Sequence, residues 1–202
     1  MGLKWIGGLL ALAGLLAACS VFVTPTPTAT PMPTPGPPLT AKEAYRLAEP
    51  AIRAWHEDAM IMFVSAPFSW RVYNDGTASS WYFSVTTAHT STQVIVRGRE
   101  SPVVGIDGIP GFEKGGELPD APIPPLDELE IDSNEAVEIA LRHGVSSEDR
   151  LIRMRLWPTS SSRGVSPSWR LTYGEAGNIH SYRKVFIDAY TGDVVGHNDF
   201  AE

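Results

Sequence analysis

The chain writes one pattern twice, and the second run follows the first at a nearly constant distance. Thr40-Ala41-Lys42-Glu43-Ala44-Tyr45-Arg46-Leu47-Ala48 returns as Asp132-Ser133-Asn134-Glu135-Ala136-Val137-Glu138-Ile139-Ala140. Ser80-Trp81-Tyr82-Phe83-Ser84-Val85 returns as Ser168-Trp169-Arg170-Leu171-Thr172-Tyr173, and Val94-Ile95-Val96 as Val185-Phe186-Ile187. The shifts are 92 residues from Thr40 to Asp132, 88 from Ser80 to Ser168 and 91 from Val94 to Val185. Each run closes on Val-Val-Gly, at Val103-Val104-Gly105 and Val194-Val195-Gly196. Any fold proposed for one half must therefore suit the other.

Each copy opens on a capping residue with a glutamate three places on, which satisfies orphan amides at a helix start. In the first copy Ala44, Leu47, Ala48, Ala51, Ile52 and Trp55 form an apolar stripe at helical spacing. Pro50 lies off that stripe, which predicts a solvent-side kink or a late helix start. Met60 to Val64 is a continuous apolar strand, and Asn74-Asp75-Gly76 marks a turn between Arg71-Val72-Tyr73 and the Trp81 strand. The second helix places Ala136, Ile139, Ala140 and His143 on one face and stops at Gly144. Ile152, Met154 and Leu156 then alternate with Arg153 and Arg155, and Trp169, Leu171 and Tyr173 alternate with Arg170 and Thr172. That is period two, with one face buried and one wet. Asp188 to Asp193 is a tight turn. Each copy reads as one helix followed by an antiparallel meander of three or four strands. Residues 106–131, with Pro119, Pro122, Pro124 and Pro125, cannot supply a central strand and read as a connector.

At the helix beginning Asp132-Ser133-Asn134-Glu135-Ala136, at Trp169 to Tyr173 and at Val185-Phe186-Ile187-Asp188-Ala189-Tyr190-Thr191-Gly192-Asp193-Val194-Val195, the chain resembles the PepSY family. The second copy fits along its length. The first diverges, because Arg97 to Pro102 stands where the family has its Asp-Ala-x-Thr-Gly turn. The resemblance implies an α+β fold of two tandem PepSY-like units, each one helix packed on a 3–4-stranded antiparallel sheet. It also implies a domain that binds or restrains peptidases and has no catalytic residues of its own. Fold alone does not confer that activity.

Ahead of the repeats stands an export signal. Lys4 supplies the positive region, Trp5 to Leu16 the apolar region, and Ala17-Ala18 a small-residue processing site before Cys19. Leu9 to Cys19 resembles a bacterial lipobox, which makes Cys19 the expected site of diacylglycerol attachment. The apolar run is shorter than the roughly 20 residues a membrane-spanning helix needs. Two acyl chains, at about 0.8 kcal/mol per buried methylene, suffice for stable anchoring. Cys19 is the single cysteine, so the mature chain has no disulfide, thiol nucleophile or thiolate ligand. A Thr/Pro tract follows, and in polyproline II form the stretch from Ser20 to Leu39 would reach roughly 60 Å. The expected organisation is a signal peptide at 1–18, a linker at 19–39, units at 40–105 and 132–202, and the connector at 106–131.

Lys4 is the signal's only charged residue, so the mature chain keeps 15 basic against 23 acidic residues. A net acidic chain without a basic patch in its sequence is a poor nucleic-acid partner. It also gains nothing from lying on an anionic membrane.

Candidate chemistry is sparse. His56-Glu57-Asp58-Ala59-Met60 begins like H-E-x-x-H, but Met60 replaces the second histidine, and a solvated helix end explains it better. His89, His143, His180 and His197 show no ligand spacing, and His143 suits a helix C-terminus. Asp188 and Asp193 offer too few oxygens for calcium, which favours a plain turn. Ser166 fails the G-x-S-x-G elbow because Ser168 replaces the last glycine. Trp81 and Trp169, matched between copies, are either core residues or an exposed binding surface. No cofactor or metal site is expected.

These features predict a non-enzymatic binding module, lipid-anchored on the extracytoplasmic face of a bacterial membrane. Its expected partners are the membrane through its lipid and a peptidase or other extracytoplasmic protein. The alternatives are a structural spacer or assembly subunit of an envelope complex, and an envelope hydrolase. Hydrolysis of peptide or ester substrates that vanishes on replacing Ser166 or His56 would revive the hydrolase reading.

Overall fold

Helix α1 (Ala41–Trp55) starts at the predicted capping box: the Glu43 amide donates to Thr40 Oγ1, and the Glu43 carboxylate accepts the Thr40 amide at 2.9 Å. These contacts come from a computed structural model, which describes residues 37–66, 72–105, 121–161, 164–175 and 178–201. The expected signal peptide, Cys19, the tract up to residue 36 and residues 106–120 of the connector lie outside the described residues. Pro50 sits exposed inside α1 and does not end it.

Four strands follow α1: β1 (Met60–Ala66), β2 (Ser80–Thr86), β3 (Ser91–Arg97) and β4 (Val103–Val104). A short 3-10 turn at Leu126–Glu128 leads to α2 (Ser133–Arg142), then β5 (Arg150–Ser161), β6 (Gly164–Glu175), β7 (Asn178–Asp188) and β8 (Val194–Ala201). The fold is α+β, as expected. The eight strands do not form two separate sheets, however. They make one antiparallel sheet in the order β4-β3-β2-β1-β5-β6-β7-β8. The first strand of each half supplies the seam, where Val64 pairs with Leu156, Ser65 with Arg155 and Ala66 with Met154. An unpaired strand edge in either half would be an aggregation hazard, and merging the halves removes one from each.

Both helices pack on the same face of this sheet, α1 over β2 to β4 and α2 over β6 and β7. One continuous core runs beneath them, from Ala44, Tyr45 and Ile52 through Val64, Phe83 and Leu156 to Leu171 and Ile187. The expected α1 stripe is rotated in the structure. Tyr45 is buried against Phe83, with ring centroids 6.1 Å apart, while Leu47 is 37% exposed. The core over β2 and β3 thus takes the i+4 aromatic from Ala41 in place of the leucine. Tyr45 donates its hydroxyl to Glu49, and burial followed by that carboxylate pushes its pKa up to about 12.

A second departure lies in β5. A bulge between Leu151 and Arg153 shifts the register, so Leu151 takes the core position expected of Ile152. The connector also does more than connect. Ile123 bridges Ile61 in an isolated antiparallel pair, and Ile123, Leu126 and Leu129 are buried in the main core. Its prolines keep it out of the ladder, while its apolar residues still bury.

The helix N-termini meet at the middle of the molecule. The Lys42 amide, in the first turn of α1, donates to Asp132 Oδ1 at 3.1 Å, and the Ser133 amide of α2 donates to the same oxygen at 2.7 Å. Ser133 Oγ accepts the Ala41 amide at 3.0 Å, and Lys42 Nζ donates to the Leu129 carbonyl at 2.7 Å. Beneath them, Trp81 Nε1 donates to the Leu39 carbonyl at 2.9 Å and Trp169 Nε1 to the Ile131 carbonyl at 3.0 Å. Leu39 and Ile131 each precede their helix cap, so the two indoles tie the two helix starts to the sheet in the same way.

The predicted Asn74-Asp75-Gly76 turn abuts this junction. The Gly76 amide donates to the Tyr73 carbonyl, and Asn74 Oδ1 accepts the Leu151 amide at 2.9 Å, joining the turn to the start of β5. Gly76 has φ +81°, and a Cβ there would lie 2.4 Å from Asn134 Cα and 2.5 Å from the Ser133 carbonyl. Gly144 also has positive φ, at +95°, but open space around it. It ends α2 in a Schellman motif in which the Val145 amide donates to the Ala140 carbonyl. Gly76→Ala should therefore cost about 3 kcal/mol or more in urea unfolding, against about 1 kcal/mol for Gly144→Ala. Equal losses would show that backbone approach at Gly76 contributes nothing beyond its φ.

Candidate functional site

The face of the sheet opposite the helices carries the other alternates of the strands, polar and apolar together, and its first-half residues Phe63, Ile95, Ser84 and Gln93 are buried. Strand pairing sets them in rows. One row runs Gln93, Ser84, Phe63, then Trp157, Ser168 and Asp188. The next runs Ile95, Tyr82, Ser65, Arg155, Arg170, Phe186 and Gly196. A third, over β5 to β8, runs Arg153, Thr172, Lys184 and Asn198. The first-half strands contribute small hydroxyls and isolated apolar groups, and the second-half strands contribute cations and aromatic rings.

In that second half Arg155 and Arg170 stand directly opposite each other across β5 and β6. Like charges in that relation destabilise a sheet. The Arg170 guanidinium lies 5.3 Å from the Trp157 ring centroid and 5.7 Å from that of Phe186. Its Nη2 donates to Thr159 Oγ1, and its Nε is buried without a hydrogen-bond partner among the described residues. Trp157 in turn contacts Phe63 across the seam at 5.1 Å, and Lys184 Nζ sits 5.2 Å from the Tyr182 centroid. Cation–π contact stabilises a guanidinium removed from water.

Electrostatics agree with the geometry. Burial, then the neighbouring Arg153 and Arg170, lowers the Arg155 pKa to about 10. Burial also lowers Arg170, and burial with the three arginines lowers Lys184. A protein with a formal net charge of −7 has gathered four cations on one patch of one sheet face. Sequence reading saw Arg153, Arg155 and Arg170 only as the wet partners of an alternating pattern. The pairing of β5 with β6 and β7 makes them a cluster. Gln93 was also missed. It is 3% exposed with neither side-chain amide atom hydrogen-bonded among the described residues, and its one legible sign was a polar residue directly before Val94-Ile95-Val96.

The residues singled out by sequence lie elsewhere or are otherwise occupied. Trp81 and Trp169 are 0% and 1% exposed and touch edge to face, with centroids 6.3 Å apart. They are core residues and offer no binding surface. His56 is the C-cap of α1 and pairs with Asp58, so the His-Glu motif straddles a helix end and a turn. His143 is an exposed C-cap of α2. Among the described residues no three His, Cys, Asp or Glu side chains gather as metal ligands.

Ser166 and Asp188 do meet, but in a structural role. Ser166 Oγ donates to Asp188 Oδ2 at 2.8 Å, while Asp188 Oδ1 accepts the Tyr190 and Thr191 amides at 2.9 and 3.1 Å. One carboxylate oxygen is thus committed to the turn that sequence predicted, and the other ties that turn to Ser166 of β6. A separate cleft of about 230 Å³ between the end of α1, the start of β1 and residues 122–125 is lined mainly by Tyr45, Ile52, Ile61 and Ile123. Arg53 at its rim donates to the Glu57 and Ala59 carbonyls.

No protein-family model matches the sequence, and no curated protein matches it. Among solved structures the chain is similar to a candidate lipoprotein, CD1622, of Clostridium difficile 630. They share 12% identity and a TM-score of 0.51, over 77% of this chain and 92% of that one. It is also aligned with the C-terminal domain of Bacillus megaterium YpeB, at 13% identity over 79% of this chain and 65% of that one. The TM-score there is 0.31, too low to support an argument. The first likeness establishes a shared fold. Among the described residues no helix is long and apolar enough to cross a membrane.

The Asp188 turn makes a pH prediction. Burial alone would raise this carboxyl, but the Ser166 hydroxyl and the Tyr190 and Thr191 amides outweigh it and hold the pKa below the usual carboxylate range. A depressed folded-state pKa gives stability that is present above about pH 4 and lost as pH falls through the lower folded value. Ser166→Ala should cost about 1 kcal/mol at pH 7, a modest figure because the carboxylate is partly solvated. The difference from the native chain should shrink below pH 4. A pH-independent loss in urea titrations would refute this role.

Proposed function

We propose that this chain is a non-enzymatic binding module, held on the extracytoplasmic face of a bacterial membrane by a lipid on Cys19. In this reading it consists of two PepSY-like units fused along one sheet. The observation that carries it is the cation–aromatic cluster of Arg153, Arg155, Arg170, Lys184, Trp157 and Phe186 on the face opposite both helices. Two arginines set directly across from each other repel within a sheet, and that supports reading the arrangement as a recognition surface. Partial desolvation strengthens any contact that an incoming anion makes there.

Three further points favour the reading. The lipobox ending at Cys19 supplies the address, and the fold is shared with a protein described as a candidate lipoprotein. Equivalent indole-to-carbonyl bonds at Trp81 and Trp169 give the duplicated-unit reading a physical basis. A partner protein, with a peptidase as the leading class, would then be held or restrained by the sheet face.

The test has two arms. Cys19→Ser should abolish fatty-acid labelling and release the chain from the membrane fraction. From solubilised membranes, the native chain should capture a partner at about 0.15 M salt, and the Arg155→Gln/Arg170→Gln pair should capture at most roughly a tenth as much. No capture by the native chain, or equal capture by both, would count against the reading.

A further inference from the structure

We propose that the outer edge of β8 pairs with the same edge of a second copy of this chain, antiparallel and about a two-fold axis at Asn198, so that two sheets continue as one. The inference goes beyond the partner-binding reading and does not depend on it. β8 ends the strand order, and among the described residues its ladder partner is β7 alone. Val195, His197 and Asn198 are exposed. Consecutive strand residues point to opposite faces, so at His197 and Asn198 the strand is open on both.

The two edges of the sheet are built differently. β4 is two residues long and follows directly on Pro102, and both features discourage the addition of a strand. β8 has eight residues. Its one irregularity is a bulge at Val195, the residue left over between the Ile187–Val194 and Phe186–Gly196 pairs. From Gly196 to Ala201 it runs in unbroken register with β7 and contains no proline, lysine or arginine. Outward-facing amides and carbonyls on such an edge are a template for another strand.

The strand's own residues favour a second copy over a strand of another protein. Antiparallel pairing centred on Asn198 sets His197 opposite Asp199 of the partner subunit, and by symmetry Asp199 opposite the partner subunit's His197. Unlike groups in facing positions stabilise a sheet and like charges destabilise it. A centre at Asp199 would set two aspartates face to face, and a centre at His197 would leave each Asp199 without a basic residue opposite. The join also repeats, between chains, what the molecule does within one: β1 and β5 meet as an antiparallel pair, with both helices on the same face. Pairing from Val195 to Ala201 gives a small interface, of the size that associates weakly.

The experiment follows sedimentation of the full chain in density-matched detergent micelles as protein concentration rises. The native chain should dimerise in the micromolar range. His197→Asp should weaken the dimer roughly tenfold, because the repulsion it introduces occurs twice, and His197→Asp/Asp199→Lys should restore the native affinity. A second measurement fixes the register. The full chain carrying Cys19→Ser/Asn198→Cys has one thiol, on the two-fold axis, where facing Cα atoms are close enough for a disulfide. Oxidation by copper–phenanthroline should link two chains there, and Cys19→Ser/Arg46→Cys, with its thiol exposed on α1, should stay unlinked. Urea unfolding of each variant separates lost pairing from lost folding. A native chain still monomeric at about 0.1 mM, a dimer untouched by His197→Asp, or a double variant that fails to restore it would overturn the proposal. So would cross-linking no faster at position 198 than at position 46. Capture of a different protein through the thiol at 198, without self-association, would assign the edge to another chain's strand, with the same consequence.

Discussion

One carboxylate at the centre of the molecule, that of Asp132, holds the architecture together. The two helices aim their N-termini at each other, and each brings unpaired amides and a partial positive charge. Asp132 Oδ1 accepts from Lys42 of one helix and Ser133 of the other, and is thereby bonded to both first turns. Ser133 adds its hydroxyl to the Ala41 amide. The two indoles below anchor Leu39 and Ile131, the residues before each cap, and touch each other. With both helix starts fixed at one point on one face, the first strands of the halves are brought side by side, and the seam between β1 and β5 follows.

That choice of face decides what the rest of the sheet can do. Among the described residues both helices lie on one side, where Val64, Trp81, Phe83, Leu156, Trp169 and Leu171 collect. The alternates on the other side are brought into register across the seam, so the phenyl ring of Phe63 meets the indole of Trp157 and Ser65 faces Arg155. The result is asymmetric. Hydroxyls, a buried amide and the side chains of Phe63, Tyr82 and Ile95 occupy the first half, and the four cations the second. Two copies of one pattern have thus kept the same skeleton while their outward positions diverged, and divergence on a rigid scaffold is a route by which a fold acquires a site.

Much of this was legible locally. Both capping boxes, the Asn74-Asp75-Gly76 and Asp188 to Asp193 turns, the stop at Gly144 and the Trp169 strand are written in short stretches, because a cap or turn is satisfied by residues three or four apart. The α1 face was misjudged at Leu47 because a helical stripe leaves its rotation open by one position. Contact with Phe83 selects Tyr45. The β5 register was misjudged at Ile152 because a bulge is fixed by the partner strand and leaves little sign in its own residues. Residues 121–129 read as a connector because proline argues against a ladder strand, yet a segment can bury Ile123 and Leu126 without joining one.

Periodicity, capping and repetition in the amino-acid sequence determined the two helices, the order of the main strands and the sidedness of the Trp169 strand, since those depend on neighbours along the chain. Only the tertiary structure decided that two meanders share one sheet, that the matched tryptophans lie inside, and that Arg155 faces Arg170. Residues 15 apart in sequence become neighbours only when strands pair, and an arginine's charge acquires its meaning from what stands across from it.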